Sequence, residues 1–154
     1  MEVDSTQYAR FLLWEEQEKK HALQLAAVMG ALAAEGERNA DAFFASFHPD
    51  ARFWINGDTG ASGTRRGLAE MKALFDVFMA QLPAGFSQTI VNAYVTGDRV
   101  VTETLGRATT LAGQTYTGTY CQVWKFEKAH IVELAVYLDT KLLDETFPAE
   151  CWTA

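Results

Sequence analysis

The chain has 154 residues, 49% hydrophobic and 21% charged, an ordinary balance for one folded domain that buries a substantial core. Thirteen Lys and Arg stand against 20 Asp and Glu, a formal net charge of −7, and no basic cluster exceeds a pair such as Arg65-Arg66. Such a balance repels polyanions and argues against nucleic acid or an anionic membrane as a partner.

In chain order, the start Met1-Glu2-Val3-Asp4 is acidic and lacks the basic-then-apolar layout of a secretory leader. Asp4 followed by Gln7 resembles a capping pair. Helical character then runs from about Gln7 to Glu35, in one piece or in two meeting in the polar run Glu15 to Lys20. Leu25, Met29 and Leu32 recur at helical spacing, so that face is expected to point at the core. The apolar stretch Leu23 to Ala34 is interrupted by Gln24 and Gly30 and is too short to span a bilayer.

Gly36 ends this helix, and Asn39 is placed to cap a short second one carrying Phe43, Phe44 and Phe47 before Pro49 stops it. Ala51 to Asn56 reads as a strand, and Gly57 to Gly67 as a loop. A third helix, Leu68 to Leu82, presents Leu68, Met71, Phe75, Phe78 and Leu82 on one face. From Phe86 the period changes to two. Long strands are predicted over Arg99 to Leu111, Gln114 to Glu127 and Ile131 to Asp139. Turns fall at Gly97-Asp98, Ala112-Gly113 and Lys128-Ala129-His130, and a short helix covers Thr140 to Glu145.

The order α-α-β-α-β-β-β-β predicts an α+β fold, a cone-shaped, mostly antiparallel curved sheet packed on N-terminal helices, of the cystatin-like roll type. Along Gln114 to Glu127, one face carries Tyr116, Gly118, Tyr120, Gln122, Trp124 and Phe126. The other carries Thr115, Thr117, Thr119, Cys121, Val123 and Lys125. An aromatic stripe of this kind is ordinarily core; with a glycine and an amide in it, it also suits an apolar pocket with few polar contacts. Cys121 and Cys151 stand apart with no metal-ligand spacing, so both are expected as reduced thiols in a cytoplasmic protein.

Phe47-His48-Pro49-Asp50-Ala51-Arg52-Phe53-Trp54 resembles a passage of the SnoaL-like branch of the nuclear transport factor 2-like superfamily. In that family it likewise follows the first helices and opens the first strand. Ser62-Gly63-Thr64 with Arg66-Gly67, Gly97 to Glu103, and Tyr137-Leu138-Asp139-Thr140 are similar to further family segments in the same order. The resemblance runs from about Leu25 to Phe147 within a single domain, 1–154, of which 1–24 is a helical extension. It implies a cone pocket and, as in many relatives, a homodimer paired through the outer sheet face, here Thr117, Thr119, Cys121 and Val123.

The superfamily includes ketosteroid isomerases, limonene epoxide hydrolases, polyketide cyclases, dehydratases and binders without chemistry. By motif position, an isomerase base would fall at Ile55 or Asn56, its oxyanion Asp near Gln122 and its Tyr near Met29. The hydrolase set would fall at Trp54 and Asn56, with ionisable partners near Thr104, Gly106 and Val136. Asn56 and Gln122 keep amides; the acid–base groups are missing. His21, His48 and His130 fall off the predicted inner face, and no metal or other cofactor is expected.

The sequence therefore favours binding of a small apolar or oxygenated molecule by Met29, Trp54, Phe75, Tyr116, Tyr120, Gln122, Trp124 and Val136. The alternative is a small cofactor-free enzyme, an isomerase, cyclase, dehydratase or hydrolase, working through Asn56 and Asp58 at the pocket mouth.

Overall fold

A computed structural model describes residues 4–153 of the chain; the acidic start Met1-Glu2-Val3 and the final Ala154 lie outside them. α1 (Ser5–Gly36) and α2 (Ala40–Phe44) lead into β1 (Phe47–Ile55), β2 (Gly63–Arg66) and α3 (Gly67–Ala80). Four long strands follow: β3 (Ser87–Thr96), β4 (Arg99–Thr109), β5 (Thr115–Glu127) and β6 (His130–Leu138). α4 (Thr140–Thr146) and a single turn of 3-10 helix, Ala149–Trp152, end the described chain.

α1 is one continuous helix through Glu15 to Lys20. Glu and Lys are good helix formers, and no Gly or Pro interrupts that run. Lys20 also reaches Asp98 in the β3–β4 turn at 2.7 Å. The Asp4 side chain accepts from the Gln7 N–H at 2.8 Å, Asn39 caps α2, and Asp139 caps α4, all by the same geometry.

Of the predicted face Leu25, Met29 and Leu32, Leu32 is buried and Leu25 packs half-buried against the core, while Met29 turns to solvent. Gln24, Val28, Ala31 and Leu32 are buried, whereas Met29 is 53% exposed. Alanines on the buried side allow the helix to approach the sheet closely, which larger side chains would prevent.

The six strands form one sheet in the order β2-β1-β6-β5-β4-β3, antiparallel except for the parallel pair β1·β6. β1 begins four residues earlier than the predicted strand. Its pairing with β6 shifts register between Phe47 and Arg52, and this irregularity accommodates Pro49, which has no N–H for a ladder. β2, predicted as loop, is a four-residue edge strand pairing Arg52 to Arg66 through Ile55 to Gly63. Short and arginine-bearing, it has no apolar alternation to reveal it and is a poor template for another chain.

β5 alternates as its sequence predicts: Tyr116, Gly118, Tyr120, Gln122, Trp124 and Phe126 are all buried beneath the helices, while Thr115, Thr117 and Thr119 are exposed. No described helix is long and apolar enough to cross a membrane.

Candidate functional site

The concave face of the sheet and the helices over it enclose about 770 Å³, the mouth included. Aromatic residues arrive from every side. Phe43 and Phe44 come from α2, Phe75 and Phe78 from α3, Phe53 from β1 and Trp124 from β5. The 3-10 turn adds Trp152, whose ring stacks on Phe78 at 6.0 Å.

The polar end is built by Glu35 at the close of α1, Gln88 on β3, and Tyr120 and Gln122 on β5. A directed chain of hydrogen bonds fixes it. The Trp124 indole N–H can only donate, and it donates to the Thr102 hydroxyl at 3.0 Å. Thr102 in turn donates to the Gln122 carbonyl oxygen at 2.6 Å, which turns the Gln122 amide nitrogen toward Gln88 Oε1, also 2.6 Å. Thr104 donates to the same Gln88 oxygen at 2.6 Å, so Gln88 presents its N–H to Glu35 Oε1 at 3.0 Å. The donors run in one direction from the indole, and Glu35 is the terminal acceptor.

Among the described residues no hydrogen bond reaches Glu35 Oε2. Glu35 is half-buried, and its apolar surrounding lifts the carboxyl from an ordinary 4.5 to about 8 by desolvation, against which the Gln88 N–H acts. Burial also raises the Tyr120 hydroxyl well above its usual range; the Tyr116 hydroxyl 2.5 Å away and the Glu35 charge add to that rise.

Replacing Gln122 by Leu strands the Thr102 donor and removes one of the two donors to Gln88. We expect a loss of about 2–3 kcal/mol in urea unfolding, larger than an exposed polar deletion gives.

The sequence-predicted residues divide by strand parity. Phe75, Tyr120, Gln122, Trp124 and Val136 line the cavity. Trp54 does not: on β1 it is Phe53 and Ile55 that face the cavity, and Trp54 packs edge-on against Tyr137 at 5.3 Å. Tyr116 lies one layer deeper, buried against Phe147 with its hydroxyl on Tyr120. Met29 is on the solvent side of α1.

Asn56 lies outside the lining. Its amide grips the Leu138 backbone twice, donating to the carbonyl at 3.3 Å and accepting from the N–H at 3.1 Å, so it joins the ends of β1 and β6. Asp58 is exposed and also outside the lining. Glu35, Gln88 and Trp152 escaped sequence reasoning. The signal for Glu35 was present in the spacing Gln24, Val28, Ala31, Glu35, one continuous stripe of α1.

Comparison with known proteins accords with this geometry. The SnoaL-like domain profile matches residues 28–134, more than half of the chain. The chain belongs to the SnoaL-like domain family. No curated protein matches it.

Among solved structures, this SnoaL-like chain is similar to an NTF2-like protein of unknown function from Burkholderia pseudomallei. That likeness has 22% identity and a TM-score of 0.72, covering 86% of this chain and 98% of that one. It is also similar to TerC, co-crystallised with polyporic acid, at 23% identity and a TM-score of 0.72, covering 80% of this chain and 96% of that one. A protein of ketosteroid isomerase-like fold from Catenulispora acidiphila, in complex with trimethylamine, matches at 18% identity and a TM-score of 0.64. There the coverage is 72% of this chain and 83% of that one. At these identities the likeness establishes the fold, a SnoaL-like cone, and leaves the chemistry to the chain's own residues.

Proposed function

We propose that this SnoaL-like protein binds a largely apolar small molecule in the cone cavity, held at its polar end by Glu35 and Tyr120. The observation that carries this reading is a cavity, open at its mouth, whose walls are aromatic and whose polar groups converge at one end. That is the usual construction of a small-molecule site. TerC was co-crystallised with polyporic acid and the Catenulispora protein is in complex with trimethylamine, which supports binding of an organic ligand by a protein of this fold.

A homodimer in the cytoplasm is part of the same proposal. Tyr94, Leu105 and Tyr137 are exposed on the outer sheet face, the surface on which a second copy would pair.

Native mass spectrometry of freshly purified protein tests both points. A mass excess over the chain that disappears on denaturation, carried by a two-chain species, is the expected result. A ligand-free spectrum even after incubation with a panel of apolar amines, alcohols and ketones would count against the cavity as a binding site, and single chains alone would count against the dimer.

A second reading is favoured by one feature, a carboxyl whose pKa is about 8 in a cavity where a substrate would sit. Such a group can accept and return a proton near neutral pH, as an isomerase, cyclase or dehydratase requires. Asn56 is committed to the Leu138 backbone and Asp58 lies outside the lining, so this reading assigns the proton to Glu35 instead.

A further inference from the structure

We propose that the cavity selects a protonated amine with an apolar body, seating the ammonium against Glu35 Oε2 and discriminating against carboxylates of the same shape. The inference rests on the cavity being a ligand site and specifies the charge of what enters it.

Charge is the first argument. Among the described residues Glu35 is the sole Asp or Glu in the lining, and no Lys, Arg or His accompanies it. Element by element, the rest of the cavity lining is neutral at pH 7: Gln88 from β3, Tyr120 and Gln122 from β5, and aromatic or aliphatic side chains from α2, α3 and the C-terminal turn. Tyr120 is the only other titratable group among them, and it stays protonated. An anion would enter with no counter-charge and beside a carboxyl; a cation would find its only ionic partner there.

Hydrogen-bond direction is the second. Trp124, Thr102, Gln122 and Gln88 each donate toward Glu35, so the chain ends on an acceptor whose second oxygen takes no bond from the described residues. Donors aimed at a carboxyl favour its ionised form once a counter-ion arrives. A ligand N–H completes the series once Glu35 is ionised, whereas a ligand acceptor is served only by the protonated carboxyl, so the preference for a donor grows as pH rises toward 8.

The walls supply the third. Phe43, Phe47, Phe75, Trp124 and Trp152 surround the space, and aromatic faces attract cations and repel anions most strongly where water is excluded. The chain's net charge of −7 acts in the same direction on approach.

Because Glu35 is largely protonated at pH 7, binding an ammonium there must expel that proton. Amine affinity is therefore expected to rise between about pH 6 and 8 by up to tenfold per unit, then level off until the amine itself deprotonates.

The test compares 3-phenylpropylamine, 3-phenylpropanol and 4-phenylbutyrate by calorimetry on the full chain, in two buffers of different ionisation enthalpy. Expected are at least tenfold tighter binding of the amine than the alcohol at about pH 8, weaker binding of the acid than the alcohol, and release of roughly one proton per amine at pH 7. Glu35→Gln should abolish the amine preference and keep alcohol binding, which also shows that the variant is folded.

Equal affinities for amine and alcohol, or an unchanged preference in Glu35→Gln, would overturn the charge assignment while leaving the cavity a ligand site. Failure of all three probes to bind would overturn the charge assignment together with the reading beneath it.

Discussion

Glu35→Gln is expected to match the parent chain in stability at about pH 4.5 and to exceed it progressively as the pH rises to 8, where the gain levels off. The folded carboxyl titrates near 8 and the unfolded one near 4.5. Below both values each state holds the proton, so ionisation contributes nothing to folding. Between them the unfolded chain sheds its proton and the folded chain does not, so the native state loses ground as pH rises.

The slope approaches about 1.4 kcal/mol per pH unit, and the total is on the order of 3 kcal/mol once screening through the cavity mouth is allowed for. Gln keeps an oxygen for the Gln88 N–H and has nothing to ionise. Urea unfolding of both proteins at several pH values measures the difference directly, and every other carboxylate cancels in the subtraction. A difference that stays flat across that range would mean that Glu35 ionises as an ordinary surface carboxylate, and the cavity would then be wet.

How the sequence disclosed the fold but mislaid this residue follows from periodicity. A strand's parity is written in every second residue, and β5 has six inward residues in strict alternation; one correct assignment placed Tyr120, Gln122 and Trp124 together. β1 is interrupted by Pro49, and an irregular register between Phe47 and Arg52 decides which side Trp54 takes. Only the ladder with β6 reveals that.

In α1 the apolar residues surround much of the helix, so several stripes fit equally well. The face Leu25, Met29 and Leu32 holds at Leu32 and in part at Leu25, whereas Met29 is exposed and the packed stripe instead includes Val28 and Ala31 and ends in Glu35. A charged residue at the end of a buried stripe reads as helix-end solvation until the partner strand is known. Gln88, 53 residues away, supplies the contact that gives Glu35 its role. The resemblance directed the search for acid–base groups to strand positions, and this chain carries its carboxyl on a helix.

The seam that holds that carboxyl in place predicts the second large effect. Gly85 has φ +83°, and a Cβ there would stand 2.4 Å from the Gly36 carbonyl oxygen and 3.0 Å from that of Glu35. The next residue, Phe86, donates its N–H to the Glu35 carbonyl at 3.2 Å. The start of β3 is thus docked directly on the last turn of α1, and Gln88 follows two residues later. Gly85→Ala must force backbone from backbone, and no rotamer change can relieve the contact.

We expect a loss of more than about 3 kcal/mol, the sum of left-handed strain of roughly 1 kcal/mol and the displaced seam. Gly97→Ala isolates the first contribution. It too has positive φ, at +56°, but nothing lies within 4 Å of its added Cβ, so about 1 kcal/mol is expected from it. The excess of the first loss over the second measures how firmly helix and strand are clamped together. Equal losses would mean that the seam yields freely, and a yielding seam could not hold Glu35 within 3.0 Å of Gln88.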